Sequence, residues 1–373
     1  MFKILKSVFN IKPAKFLGID VGTSFIRVVE IERHGREYHL SNYGEFDESS
    51  FKFGGSKGSI FFSSNKNIAS AIRLILDEAE IRTKEVNFSI PDFSSFFTSF
   101  ELPLMEKKEI PKAVRYQMRP FVPLPLDEID LDWSIIEGQP SKTPIKVLVM
   151  AVPKEIVAQY RKVAELAGLE LRCLESEVFA LARALIDKRT EEEGKVISLI
   201  DIGAWTTTCS VIENGIVKNS YSFNIAGNEF TKIIDRSLNV EYNKAEELKK
   251  KYGLSLLLDT GLNVGEINQA ENLIKKNVFK ILVPLTDSIL REVKKVFRDF
   301  YRAEGKEVDK VILSGGTCLM PGLREYFRKE LKREVDMADP FAHLVYPPVL
   351  AKTLENMKST YGIAVGLALK GFE

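Results

Sequence analysis

Two stretches of the chain, roughly 180 residues apart, follow one pattern. "FLGIDVGTSFIRVVEIERHG" begins at Phe16 and "SLIDIGAWTTTCSVIENG" at Ser198. Each runs from an apolar strand into Asp-Val/Ile-Gly, then small hydroxylated residues, an apolar return strand, and a Glu shortly before a Gly. One such turn is ordinary. The same hairpin twice at this spacing implies a duplicated domain. It places Asp20 and Asp201 at the ends of two buried strands, where a carboxylate needs a hydrogen bond, an opposite charge or a cation. Gly22 and Gly203 permit tight turns that expose amide N–H groups. With the hydroxyls of Thr23, Ser24, Thr206 and Thr207, those amides can hold anionic oxygens. Two facing hairpins would grip a polyphosphate from both sides, their aspartates holding a hydrated Mg²⁺. A third element, "VILSGGTCLMPGL", reads as strand, turn and helix. Its Gly315-Gly316-Thr317 turn offers bare backbone to a flat base or ribose.

Composition narrows the alternatives. The 373 residues are 45% hydrophobic and 28% charged, the balance of a soluble globular protein with two or three domains. A formal net charge of +1 argues against a dedicated nucleic-acid binder. Cys173, Cys209 and Cys318 form no CxxC pair and sit in apolar contexts, as buried small hydrophobes do. The three histidines lack HxxxH spacing, against a zinc site. No apolar run reaches the roughly 18 residues of a membrane span. "MFKILKSVFNIKPAK" is interrupted by lysines too often for a signal peptide, so a cytoplasmic location is expected. Phe2, Leu5 and Phe9 recur near helical spacing among Lys3, Lys6 and Lys12. That leader has two readings, a frayed terminus or a short amphipathic helix touching anionic lipid.

Along the chain, strands are expected from Phe16 to about Tyr43, and a Ser/Gly-rich loop with a short edge strand over 47–66. "NIASAIRLILDEAEI" has helical periodicity, with Asn67 as a possible cap. Residues 86–165 read as an inserted α+β subdomain. It holds two strands, the helix "KEIPKAVRYQMRPF", the alternating strand after "VPLPL", the buried strand "IKVLVMAV", and a helix closed by Gly168. "EEEGK" at 191–195 is a polar break between halves. Two helices follow the second hairpin, then a long one that Pro284 should interrupt or bend. "STYGIAVGLALKG" is a small-residue helix suited to close packing.

The order of these motifs resembles the actin, Hsp70 and sugar-kinase superfamily of ATP-binding folds. "GIDVGTS" resembles its first phosphate motif, "DIGAWTTTCSVIENG" the second, and "ILSGGTCLMPGL" the adenosine motif. "LESEVFALARAL" and "YGIAVGLALKG" resemble the two connecting helices. The resemblance implies an α/β actin-like fold of two RNase H-like lobes around a nucleotide cleft. The lobes would comprise 14–85 with 166–193, and 194–227 with 306–373, with 228–305 as a smaller subdomain. It implies ATP and Mg²⁺ as ligands. It places Gly227, in "NIAGNEFT", near the phosphates, and Glu246 and Lys249, in "AEELKKKYG", near the ribose and base. Within the superfamily, "YQMRPFVPLPLDEIDLDWSII" resembles the PilM family of type IV pilus assembly proteins, related to FtsA. That likeness implies a platform at the inner membrane whose insertion, with the neighbouring lobe, holds the N-terminal cytoplasmic tail of a PilN-like membrane protein. The implied groove residues are Phe121, Val122, Leu124, Leu126, Asp130 and Trp133. Each could equally fill the insertion's small core or face water.

Hydrolysis is a separate matter. The resemblance carries a phosphate-facing carboxylate to Glu175, which could also be a carboxylate placed at a helix N-terminus by the dipole. Where relatives have Gly, this chain has Ala204-Trp205, and Trp205 would either point outward or cover the cleft. ATP binding with weak or absent turnover is therefore expected. An FtsA-like polymer is the alternative, with self-association. The FtsA type usually ends in a basic amphipathic helix, and this sequence ends in "ALKGFE". A small-molecule kinase would need a further catalytic Asp, and an Hsp70-type chaperone a following β domain. The sequence offers neither.

Overall fold

The computed structural model describes residues 14–47, 64–186, 194–258 and 269–373. The leader, most of the Ser/Gly-rich stretch and most of the polar break lie outside the described residues. The first lobe opens with β1 (Lys15–Val21), β2 (Phe25–His34) and β3 (Glu37–Asp47), an antiparallel meander. Helix α1 (Asn65–Glu78) and β4 (Glu85–Ile90) follow. An insertion contributes β5 (Phe96–Leu102), α2 (Ile110–Gln117), β6 (Ile129–Glu137) and β7 (Ile145–Pro153). The chain returns through α3 (Lys154–Ala167), β8 (Glu170–Ser176) and α4 (Glu177–Leu185).

The second lobe repeats the plan. Strands β9 (Val196–Ile202), β10 (Thr207–Glu213) and β11 (Ile216–Phe223) form the second meander. Helices α5 (Gly227–Leu238), α6 (Tyr242–Tyr252) and α7 (Gln269–Glu304) build the smaller subdomain. Strand β12 (Lys310–Ser314), α8 (Leu323–Leu331), β13 (Glu334–Met337), α9 (Ala351–Met357) and α10 (Gly362–Lys370) complete it. The first sheet is ordered β3-β2-β1-β4-β8 and the second β11-β10-β9-β12-β13. In both, the meander is antiparallel and the two added strands are parallel to its first strand and to each other. The repeated hairpin is thus the opening of two lobes with one topology.

Several boundaries differ from those read in the sequence. The cap of α1 is Ser64, whose hydroxyl accepts from the Asn67 amide at 3.3 Å. The insertion's own sheet, β5-β7-β6, spans 96–153. Strand β4 pairs in parallel with β1, and the α3 side chains Tyr160, Val163 and Ala164 join the first lobe's core. Both had been assigned to the insertion, because a parallel partner far away in sequence leaves no local signature. Helix α7 continues through Pro284. Its buried stripe, from Val278 through Leu282, Ile289 and Val293 to Phe300, packs into the second lobe's core on both sides of the proline. That burial outweighs the one backbone hydrogen bond a proline removes.

Helices α4 and α10 lie between the sheets. Val178, Leu181 and Ala182 of α4 pack with Leu199, Ile212 and Ile312 of the second sheet. Ala364, Val365 and Ala368 of α10 pack with Val29 and Ile31 of the first. Small residues allow this approach. A Cβ on Gly18 of β1 would lie 1.9 Å from the Ala364 carbonyl oxygen.

Candidate nucleotide site

The two turns are built alike. The Gly22 amide donates to the Phe25 carbonyl, and the Gly203 amide to the Thr206 carbonyl, each at 3.0 Å. Val21 pairs with Ile26 and Ile202 with Thr207, so both loops hold four residues. The next pairs outward are Asp20 with Arg27 and Asp201 with Thr208. Arg27 is therefore the cation set opposite the first aspartate. It escaped the motif reading, although the hairpin register would have identified it.

Asp20 is buried and accepts from the Ser89 hydroxyl at 2.9 Å. Burial raises its pKa, while Arg27 and Ser89 oppose the rise. Burial pushes Asp201 up to about 6, with Asp20 adding to the rise and Ser314 and Arg27 opposing it. The two jaws therefore bring their aspartates within electrostatic reach of one another. Two further carboxylates join them. Asp92 follows β4 and accepts from the Ser176 hydroxyl at 2.5 Å. Burial pushes it up to about 6, and Asp201 contributes. Glu177 opens α4 and accepts from the Asp92 amide at 3.2 Å. Burial and the charges of Asp92, Asp20 and Asp201 hold it well above the usual carboxylate range.

Glu175, the carboxylate chosen from the sequence, lies two residues before Glu177. Arg183 engages it in a bidentate pair at 2.5 and 2.8 Å, and Lys370 stands 3.9 Å away. It is thus neutralised outside the cluster, while Glu177 belongs to it. Glu175 is the penultimate residue of β8 and Glu177 the first of α4, so the change from strand to helix separates their side chains.

The remaining site residues gather around the second turn. Thr23 and Ser24 are half-buried in the first turn. Thr206 supplies its carbonyl to the second, and the Thr207 hydroxyl is committed to the Ile225 carbonyl at 2.6 Å. Trp205 is 46% exposed at the turn's tip. The Gly227 and Asn228 amides donate to the Gly203 and Ala204 carbonyls, seating α5 on the turn. The Thr317 hydroxyl donates to the Gly203 carbonyl at 2.8 Å. Gly315 adopts φ +92°, and a Cβ there would lie 2.4 Å from the Ile202 carbonyl oxygen. A Cβ on Gly316 would meet nothing within 4 Å, so this part of the turn borders open space. Lys249, buried on α6, donates to the Gly227 carbonyl at 3.1 Å and the Thr231 hydroxyl at 2.9 Å, and pairs with Glu246 at 2.6 Å. Burial pushes Lys249 down, with Glu246 opposing the fall.

The chemistry fits a cation bound together with phosphates. Among the described residues, no three His, Cys, Asp or Glu side chains form a ready cage. Mg²⁺ commonly takes only one or two carboxylates and completes its shell with water and phosphate oxygens.

The raised carboxylates also set the pH response of the unliganded protein. Asp201 has a folded-state value of about 6, against an unfolded value near 3.9. Between those values the folded state holds more protons, so this group's contribution to stability falls as pH rises through that window. Asp201→Asn mimics the protonated form. In metal-free buffer, urea unfolding should show the variant gaining on wild type by the order of 1 kcal/mol between pH 4.5 and 7.5. A constant difference would contradict the assigned burial of charge.

A cavity of about 420 Å³ lies between the insertion and the second lobe. Phe96, Phe97 and Phe121 line one side, Ser220, Tyr221 and Ser222 another, with Asp92 and Ser176 also on its surface. Phe121 is 47% exposed and stacks on Phe100 with ring centroids 6.0 Å apart. Of the residues expected in a partner groove, only Phe121 lines this cavity. Val122 is in the insertion's core, Leu124, Leu126 and Trp133 pack against that core, and Asp130 is exposed. Phe93, Phe97 and Tyr221, which the sequence did not single out, line the cavity from distant segments.

Comparison with known proteins decides the family. The family model described as type IV pilus assembly protein PilM matches residues 18–372. The chain belongs to the PilM family of type IV pilus assembly proteins. A solved PilM-PilN type IV pilus biogenesis complex superposes with a TM-score of 0.80 at 22% identity, covering 97% of this chain and 99% of the other. MreB 5 of Spiroplasma citri, solved bound to AMPPNP, gives 0.52 at 15% identity, covering 96% of each chain. The cell division protein FtsA of Enterococcus faecalis is 24% identical over 374 residues, 92% of this chain and 82% of that protein. These likenesses give the PilM-family chain the actin-like fold, with its two RNase H-like lobes. No helix among the described residues is long and apolar enough to cross a membrane.

Proposed function

We propose that this protein is an ATP-binding platform for a type IV pilus, or a related secretion or competence machine, at the inner membrane. ATP with Mg²⁺ would occupy the cleft between the Asp20 and Asp201 turns. The N-terminal cytoplasmic tail of a PilN-like membrane protein would occupy the cavity beside the insertion, giving the platform its attachment to the membrane. The observation that carries this reading is the coexistence of the two sites in a PilM-family chain. A cleft with an aspartate at each turn and a bare Gly-Gly turn suits a metal-bound polyphosphate. An aromatic cavity with Asp92 beside it suits an apolar anchor followed by a basic residue.

In the cleft, the turn amides would bind phosphate oxygens, Asp20 and Asp201 would hold the hydrated ion, and Gly316 would leave room for the nucleoside. The ion, when bound, neutralises phosphate charge. Glu177 would be the carboxylate that orients a water. Its raised pKa and the exposed Trp205 at the second turn accord with slow turnover, as a scaffold allows.

Titration of a synthetic PilN-like tail into the full chain tests the partner reading. Phe121→Ala should weaken the tail about tenfold or more, as removal of an interface aromatic does, with an unchanged melting temperature. Equal affinity for wild type and variant would place the tail elsewhere. Failure of wild type to bind any such tail would remove the platform reading.

A further inference from the structure

The insertion belongs to the first lobe by chain connection, leaving it after β4 and returning to it at α3. Its ion pairs, however, reach the second lobe. Lys146 on β7 donates to Glu304 at the end of α7 at 2.7 Å. Lys218 on β11 donates to Glu137 at the end of β6 at 2.8 Å. Within this group Lys218 also stands 3.7 Å from Glu213, Lys146 stands 3.8 Å from Glu137, and Lys306 pairs with Glu213. These are not ordinary surface pairs. The Lys146 and Glu304 side chains are 22% and 18% exposed, and Lys218 is 8% exposed beside a half-exposed Glu137, so separating the two bodies leaves Lys218, Lys146 and Glu304 as poorly solvated charges. Lys218 on the second lobe and Lys146 on the insertion thus tie two bodies that share no backbone at this point.

The aromatic cavity lies between the same two bodies. Phe96, Phe97 and Phe121 belong to the insertion, and Ser220, Tyr221 and Ser222 to β11. Lys218 is the extra residue at a bulge in β11, two residues before Ser220 and four before Ser222, so the latched lysine and the two cavity serines lie on one short stretch of the strand. Any movement of the second lobe against the insertion must either break the ion pairs or carry the insertion along. Breaking the pairs alters the cavity's width, whereas carrying the insertion along keeps it.

We infer that the Lys146–Glu304 and Lys218–Glu137 pairs form a latch that holds the partner groove at its binding-competent width, making partner affinity depend on how the second lobe sits against the insertion. The affinity part rests on the tail reading proposed above; the latch itself does not.

The test compares full-length wild type, Glu304→Lys, and the exchanged pair Lys146→Glu/Glu304→Lys. The single change sets two cations against each other from outside the insertion, and the double change restores opposite charges across the gap. Amide hydrogen exchange over residues 96–102 and 216–223 should quicken about three- to tenfold in Glu304→Lys and recover in the double variant. The synthetic PilN-like tail should bind Glu304→Lys about three- to tenfold more weakly, since a groove that must be re-formed binds less well, and recover in the double variant. Unchanged exchange in Glu304→Lys overturns the latch, as does failure of the double variant to recover. Faster exchange with unaltered tail affinity overturns its control of the groove. If the tail binds not even wild type, the tail reading falls, and the exchange comparison alone decides the latch.

Discussion

Gly366→Ala should leave little folded protein, although alanine is the better helix former. The exchange improves intrinsic helix propensity by about 1 kcal/mol. It also places a methyl group 1.8 Å from the Ala180 carbonyl oxygen and 2.5 Å from its carbon. Those atoms are backbone of α4, so no side chain can turn aside. Helices α4 and α10 would have to part by more than an ångström, loosening contacts that reach both sheets. Overpacking of a good core typically costs about 1–3 kcal/mol, and rigid backbone contacts lie at or above that range. Urea unfolding should therefore show a loss of about 3 kcal/mol or more, or the chain should accumulate as aggregate. Gly168→Ala makes a useful contrast. Its φ is +73°, yet a Cβ there meets no atom within 4 Å, so only the modest strain of a left-handed alanine is expected. Similar losses for both variants would mean that the two helices are not packed as described.

The features legible in the sequence are those written into short segments. The repeated Asp-x-Gly turns foretold β1–β2 and β9–β10, and with them the duplication of the lobes. The small residues of "YGIAVGLALKG" foretold a helix in close packing. Features created by pairing across the chain were not legible. Strand β4 resembles any buried strand, and only its pairing with β1 places it in the first lobe. Asp92 follows an unremarkable proline, and Glu177 was passed over for Glu175. Their importance arises where β4, β8 and α4 bring both carboxylates to the aspartates of the two turns. Arg27 was within reach, because a four-residue loop sets it opposite Asp20. The groove followed the same logic. "PFVPLPLDEIDLDW" contains apolar residues that largely build the insertion's core, and Phe121 alone among those chosen reaches the cavity.

Removal of either aspartate should weaken nucleotide binding about thirtyfold or more while leaving the fold intact. Asp20 is buried and Asp201 half-buried, and desolvation raises the pKa of both, so the unliganded protein gains little from their charge. Their replacement by alanine relieves mutual repulsion and removes anchors for the metal. A lost charge-assisted contact of about 2 kcal/mol corresponds to roughly thirtyfold in affinity. Gly316→Ala should act differently. The added methyl meets no protein atom, so stability should hold while affinity falls, because the methyl would stand in the space assigned to the nucleoside.

Calorimetric titration of MgATP into wild type and Asp20→Ala tests the central claim, that the two hairpins are jaws of one nucleotide cleft. Saturable binding by wild type, weakened about thirtyfold or more in the variant, is the predicted result. Equal affinity in the two proteins, or no binding by wild type, would contradict it.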